Sequence, residues 1–97
     1  MPGYVIVEIT ITDAARYEEY KRLAGPTVTA FGGRYLVRGG PVTVLEGAGE
    51  PGRIVVLEFP SVARALEWHE SAVYAPARRI REECARTRMV VVEGYAG

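Results

Sequence analysis

The sequence predicts an α+β fold of the split-βαβ, ferredoxin-like kind: one antiparallel sheet with helices on one face. Three observations predict it. Runs rich in β-branched residues stand at Tyr4–Ile11, Arg34–Arg38, Arg53–Phe59 and Met89–Glu93. Stretches with helical spacing of apolar residues separate the first from the second and the third from the fourth. The resulting order, β-α-β-β-α-β, fits a single domain spanning all 97 residues.

Each element has a local reason. In YVIVEITI, period-two alternation puts Val5, Val7, Ile9 and Ile11 on one face and Tyr4, Ile6, Glu8 and Thr10 on the other. Thr12 or Asp13 then caps a helix whose inner stripe is Tyr17, Tyr20, Leu23 and Ala24. Gly25-Pro26 is expected to interrupt it, leaving a short helical piece through Phe31 that Gly32-Gly33 ends. The strand RYLVR breaks at Gly39-Gly40-Pro41, where a bulge or bend is expected, and resumes over Val42–Glu46. Gly47–Gly52 is turn chemistry. After RIVVLEF, Ser61 caps a helix to about His69, Ser71 opens a turn, and Pro76 begins a helix to about Arg86. MVVVE closes the sheet.

Composition narrows the function. Twelve basic and twelve acidic side chains cancel, against the basic surplus of a nucleic-acid module. Lone Cys84 makes no intrachain disulfide and, with one histidine, no four-ligand Cys/His zinc site. No apolar run reaches the roughly 18 residues that span a bilayer. Met-Pro-Gly-Tyr lacks the basic start of a signal peptide, so the expected location is cytoplasmic. No phosphate-loop pattern occurs, and neither glycine stretch opens a helix after a strand. The helix-free sheet face of so small a domain is semi-apolar, which favours a homodimer.

Several segments together carry a resemblance: FGGRYLVRGG at Phe31–Gly40, LEG at Leu45–Gly47, VVLEFPS at Val55–Ser61, the W-x-x-S-x-x-Y of Trp68, Ser71 and Tyr74, and VVVEG at Val90–Gly94. The chain resembles the DUF1330 family of the dimeric α+β barrel superfamily over nearly its whole length. That implies a ferredoxin-like protomer whose open sheet face packs on a second copy as a dimeric α+β barrel. The wider superfamily includes cofactor-free monooxygenases, small-molecule isomerases, haem-degrading enzymes and stress-related proteins. The family's usual W-Y-N-S-P-E-Y reads Trp68-His69-Glu70-Ser71-Ala72-Val73-Tyr74 in this chain, with imidazole in place of a phenol at His69.

Among chemistry-bearing residues, Glu8, Glu58 and Glu93 interrupt apolar strands, where a charge is seldom buried unpaired. They are expected on the open face, and Arg34 and Arg38, on one face of their strand, are expected to pair there with a carboxylate. His69 leans toward the apolar stripe set by Val62 and Leu66, where a group with a near-neutral pKa serves as acid or base. Tyr17, Tyr20, Tyr35, Trp68 and Tyr74 either pack the core with wet polar tips or stack on a planar ligand. Cys84 follows Ala77 and Ile80 at helical spacing and reads as buried and inert. Arg78, Arg79, Arg81, Arg86 and Arg88, interleaved with Glu82 and Glu83, read as a solvated helix face.

The expectation is a homodimeric small-molecule enzyme or binding protein. Its catalytic candidates are His69, Glu58 and Arg38, and its ligand-binding candidates Glu8, Tyr17, Arg34, Trp68 and Tyr74. The expected pocket lies between sheet and helices, uses neither cofactor nor metal, and serves proton-transfer chemistry of isomerase, lyase or cyclase type. Neither nucleic acid nor membrane is an expected partner. The alternative is a non-catalytic dimeric accessory or stress-response protein whose glutamates and arginines staple the interface.

Overall fold

A computed structural model describes all 97 residues. In chain order the elements are β1 (Gly3–Ile11), α1 (Ala14–Ala30), β2 (Arg34–Arg38), β3 (Arg53–Phe59), α2 (Val62–Glu70), α3 (Ala75–Cys84) and β4 (Ala85–Glu93). The four strands form one sheet in the order β2-β3-β1-β4, with every neighbouring pair antiparallel. This is the ferredoxin-like arrangement. No helix is long and apolar enough to cross a membrane.

Alternation in β1 and β3 sets the layers. Val5, Val7, Ile9, Val55, Leu57 and Phe59 are buried under the helices. Against them pack Tyr17, Tyr20, Ala24 and Val28 of α1, Ala65 and Trp68 of α2, and Ala77, Ile80 and Cys84 of α3. Both expected caps form. The Asp13 carboxylate accepts from the Arg16 amide at 3.1 Å and the Ser61 hydroxyl from the Arg64 amide at 3.0 Å. Gly32, at φ +76°, closes α1 with a pair of reversed bonds, from Gly32 to Thr29 and from Gly33 to Val28.

Four expectations are corrected. Helix α1 runs straight through Gly25-Pro26. Pro26 is exposed, so the carbonyl it deprives of a donor is not trapped in the core, and Ala24, Thr27 and Val28 still pin that turn to the sheet. The Arg38 Nη2 donates to the Lys21 carbonyl at 3.1 Å, one residue before the carbonyl that Pro26 leaves without a helical donor.

The second correction concerns β2. Its register against β3 shifts between Tyr35 and Val37, so the bulge falls at Leu36, ahead of the glycines. One extra residue reverses facing beyond it. Arg34 lies opposite Glu58 on the open face, whereas Arg38 lies opposite Val55 on the helix side. The two arginines therefore do not share a face. Nor does the strand resume over Val42–Glu46: Gly39 makes the last ladder bond, to the Ile54 carbonyl at 2.9 Å. In this register Gly40 falls opposite Arg53, the first residue of β3, so Val42–Glu46 lie beyond the end of that strand.

Third, α3 stops at Cys84 and β4 starts at once with Ala85, pairing along the full length of β1. Arg86 and Arg88 thus alternate outward on a strand instead of extending a helix face, and Arg81 is buried, at 7% exposure. Fourth, Glu93 has the parity of Met89 and Val91, which face the helices, so it is not on the open face with Glu8 and Glu58.

Candidate functional site

A cleft opens between the sheet and α1. Val7, Ile9, Val55, Leu57 and Met89 form its floor, and Tyr17, Tyr20, Tyr35 and Trp68 its walls. Lys21, Arg38 and Arg53 stand at its mouth. Its free interior is about 20 Å³, room for roughly one water as it stands. Outside the mouth lies a wider polar hollow lined by Glu18, Lys21, Arg22, Arg38 and Arg53.

The two arginines are placed by backbone features. The bulge at Leu36 turns Arg38 inward, where its guanidinium lies 4.1 Å from the Tyr35 ring centre. Arg53, first residue of β3, shares parity with Val55 and Leu57, so it points under the helices. It reaches past Gly39 to within 3.4 Å of the Arg38 carbonyl and 5.4 Å of the Tyr17 ring. Gly39 has φ +74°, and a Cβ there would collide with the Arg53 guanidinium. The positive φ favours glycine there, and a side chain at that position would push the Arg53 guanidinium aside.

Neither arginine has a carboxylate partner. Ion pairs join Arg16 to Glu19 and Glu83, Lys21 to Glu18, Arg34 to Glu58, and Arg64 to Glu67, but none reaches Arg38 or Arg53. The Arg53 Nε is buried without a hydrogen-bond acceptor. A buried donor left unpaired is costly, so the mouth lacks an acceptor that an anion supplies. Burial raises the Tyr17 pKa against the opposing charge of Arg53, and likewise the Tyr35 pKa against that of Arg38. Both phenols stay protonated at neutral pH and serve as hydrogen-bond donors.

Behind the walls lies a buried polar chain. The Trp68 Nε1 donates to the Thr27 hydroxyl at 3.0 Å, which donates to the Ala24 carbonyl at 2.7 Å. The Tyr20 and Tyr74 hydroxyls meet at 2.8 Å, and the Arg81 Nε donates to Tyr74 at 3.3 Å. The expected wet tips of Trp68 and Tyr74 are thus dry, each spent on a protein partner. Ser71 orders the motif: its hydroxyl donates to the Trp68 carbonyl at 2.8 Å and accepts from the Tyr74 amide at 3.0 Å. This brings the Trp68 and Tyr74 rings to 4.3 Å between centres.

The structure divides the candidates among three places. Arg38, Tyr17 and Trp68 meet in the cleft; Tyr74 is wholly buried behind it. His69 borders a second hollow of about 120 Å³ with Val5, Leu66, Val90 and Val91, beyond the wall that Trp68 and Met89 form with the cleft. Burial, then the charges of Arg78 and Arg81, lower its pKa, so the imidazole is neutral at pH 7. Glu8, Glu58 and Arg34 lie on the opposite sheet face. There the Arg34 Nε and Nη2 both donate to one Glu58 oxygen, at 3.1 and 2.8 Å, and Glu8 accepts from the Gly52 amide at 3.4 Å. One pocket holding Glu8, Glu58, Arg38, His69 and Tyr74 does not exist in the protomer.

Cys84 is fully buried, with its thiol pKa raised chiefly by burial and then by Asp13. No three His, Cys, Asp or Glu side chains converge as a metal site. Arg53 has no role in the sequence reading and Arg81 is read there as solvated, although parity with Val55 places the first inward and spacing from Ala77 and Cys84 places the second on the inner stripe.

Comparison with known proteins places this geometry. Among solved structures, a protein of unknown function from Rhodopseudomonas palustris superposes with TM-score 0.82 at 21% identity, covering 99% of this chain and 84% of the other. A dimeric ferredoxin-like protein of unknown function from Jannaschia sp. CCS1 gives 0.73 at 16%, covering 97% and 100%. SnoaB, a cofactor-independent oxygenase from Streptomyces nogalater, gives 0.69 at 8%, covering 99% and 95%. At these identities the likeness is one of fold. No curated protein matches the sequence. The profile of a domain of unknown function, DUF1330, matches residues 2–95, and the chain belongs to that family.

Proposed function

We propose that this protein is a homodimeric small-molecule enzyme that holds a compact anionic compound in the hollow at the mouth of the cleft between sheet and α1, with one oxygen of it entering the cleft, and moves a proton on it. The observation that carries the reading is the pair Arg38 and Arg53, turned onto an apolar cleft with no carboxylate to neutralise them. Two guanidinia beside apolar walls hold a carboxylate or enolate at the mouth, with the Tyr17 and Tyr35 phenols beside the oxygen that enters. The same cations stabilise negative charge that develops on an oxygen when a neighbouring carbon loses a proton. Neutral His69 is the candidate base by its pKa, but it lies beyond the Trp68 wall, so proton transfer through it requires that wall to move. Glu8, Glu58 and Arg34 belong to the dimer face in this reading, not to chemistry. That a cofactor-independent oxygenase shares the fold is supporting analogy only.

The test uses phenylpyruvate, a small acid with an exchangeable carbon-bound hydrogen beside a ketone. Calorimetry is expected to show binding that Arg38→Ala weakens at least about tenfold, the size of one charge-assisted hydrogen bond. Protein-dependent deuterium exchange at that carbon, followed by NMR, is expected to vanish in His69→Asn. Absence of binding overturns the anion site. Binding with exchange unaltered in His69→Asn leaves the site and removes the base.

A further inference from the structure

We infer that the Tyr20 hydroxyl is a ligand-touching hydrogen-bond donor in the cleft, aimed there by Tyr74 and Arg81, so that the substrate class is anions carrying a carbonyl or enolate oxygen. The inference rests on the proposed cleft and adds what the cleft recognises.

Hydrogen-bond direction carries the argument. A guanidinium has donors only, so at the Arg81–Tyr74 contact the phenol oxygen accepts. Tyr74 is fully buried, and its oxygen touches just two groups, Arg81 at 3.3 Å and Tyr20 at 2.8 Å. Its own proton therefore has one acceptor within reach, the Tyr20 oxygen. The reverse arrangement, with Tyr20 donating to Tyr74, strands the Tyr74 proton in the core at the cost of an unmade buried bond. Tyr20 then accepts from Tyr74 and keeps its own proton free.

That proton has no protein acceptor: the Tyr20 hydroxyl bonds to Tyr74 alone, and Tyr20 lines the cleft that Arg38 and Arg53 guard. Arg81 has no carboxylate within ion-pairing distance, so its charge is spent along the chain Arg81–Tyr74–Tyr20 and polarises the last O–H. Burial, foremost, and the neighbouring Tyr74 raise the Tyr20 pKa, which keeps it a donor and not a base. An apolar cleft with cations at its mouth and an O–H held in one direction inside, where the Tyr17 and Tyr35 hydroxyls have no protein acceptor to fix theirs, discriminates between acids that differ only in an oxygen. Tyr74 and Arg81 are positioning residues, because they act through Tyr20.

The experiment compares phenylpyruvate with 3-phenylpropanoate, which has the same ring, chain length and carboxylate but no ketone. Titration calorimetry on the wild-type protein is expected to favour phenylpyruvate about tenfold. Tyr20→Phe is expected to erase that preference while leaving 3-phenylpropanoate affinity unchanged. Arg81→Met, which frees Tyr74 to turn, is expected to reduce the preference although Tyr20 is present, and Arg81→Lys, another obligate donor, to restore it. Arg38→Ala is expected to weaken both acids equally. Equal wild-type affinity for the two acids, or a preference that survives Tyr20→Phe, overturns the inference and leaves the anion cleft standing. Failure of both acids to bind overturns the cleft and the inference together.

Discussion

His69 shows how one substituted side chain is tuned by what surrounds it. The ring packs at 6.2 Å from Trp68 and 6.1 Å from Tyr74, between centres, on a helix that ends near Arg78 and Arg81. Burial and those cations disfavour the imidazolium, with Glu70 and Glu82 opposing, so the folded pKa lies below the unfolded one. At pH values between the two, the unfolded chain binds more protons, and stability rises with pH. The contribution is full above the unfolded value of about 6.5 and is lost as pH falls through the folded value. Thermal melts from pH 7 to pH 5 are expected to show Tm falling on this account, and His69→Gln to flatten that part of the slope. An unchanged slope in the variant assigns the pH dependence elsewhere. The replacement of the family's tyrosine was legible in the sequence, but the separation of His69 from Arg38 was not. A helix-face position fixes the direction of a side chain relative to its own axis, not which side of a neighbouring tryptophan it falls on.

At the scale of elements, the legible features were those fixed by local chemistry. Asp13 and Ser61 cap the helices because a short oxygen-bearing side chain meets free amides, a matter of four consecutive residues. What misled were Pro26 and the Gly39-Gly40-Pro41 run, whose outcome depends on partners far away in sequence. Proline is a helix breaker in isolation, yet Ala24, Thr27 and Val28 hold α1 on the sheet through it. The bulge at Leu36 had no glycine to mark it, and it alone moved Arg38 from one face to the other. The W-x-x-S-x-x-Y motif is a joint between elements. Ser71 ties the last carbonyl-bearing turn of α2 to the first amide before α3, and Ala75 bonds back to the Ser71 carbonyl at 3.1 Å. Ser71→Ala removes two side-chain bonds and is expected to cost about 1–2 kcal/mol, which lowers Tm by roughly 4–8 °C for each kcal/mol in a domain of this size. Differential scanning calorimetry measures it; a loss below a few tenths of a kcal/mol contradicts the joint.

For the whole molecule, the helix-free face decides whether the protomer stands alone. Register places Val90, Ile6, Val56 and Val37 in one row across β4, β1, β3 and β2, so the middle of this face is an apolar band. Ile6, Val37 and Val90 are 41%, 41% and 42% exposed. Charged rows flank the band, Arg34 and Glu58 on one side and Glu8 with Arg88 on the other. An apolar centre with a charged rim is the pattern of a protein interface, and both signs of charge are available for a two-fold copy to match. The thin core of a 97-residue chain adds the energetic motive. Ile6→Lys puts an ammonium in the centre of the band and is expected to yield monomers in sedimentation velocity, where the wild-type protein sediments as a dimer. In the wild type, Tm is expected to rise with protein concentration, because the partner binds only the folded state, and in Ile6→Lys to lose that dependence. Arg34→Ala, at the rim, is expected to change dimer affinity little, since exposed ion pairs contribute about 0–1 kcal/mol. If Ile6→Lys dimerises as the wild type does, the sheet face is not the interface. Glu8, and Glu58 with its Arg34 partner, then lose their interface role, and their function has to be sought again.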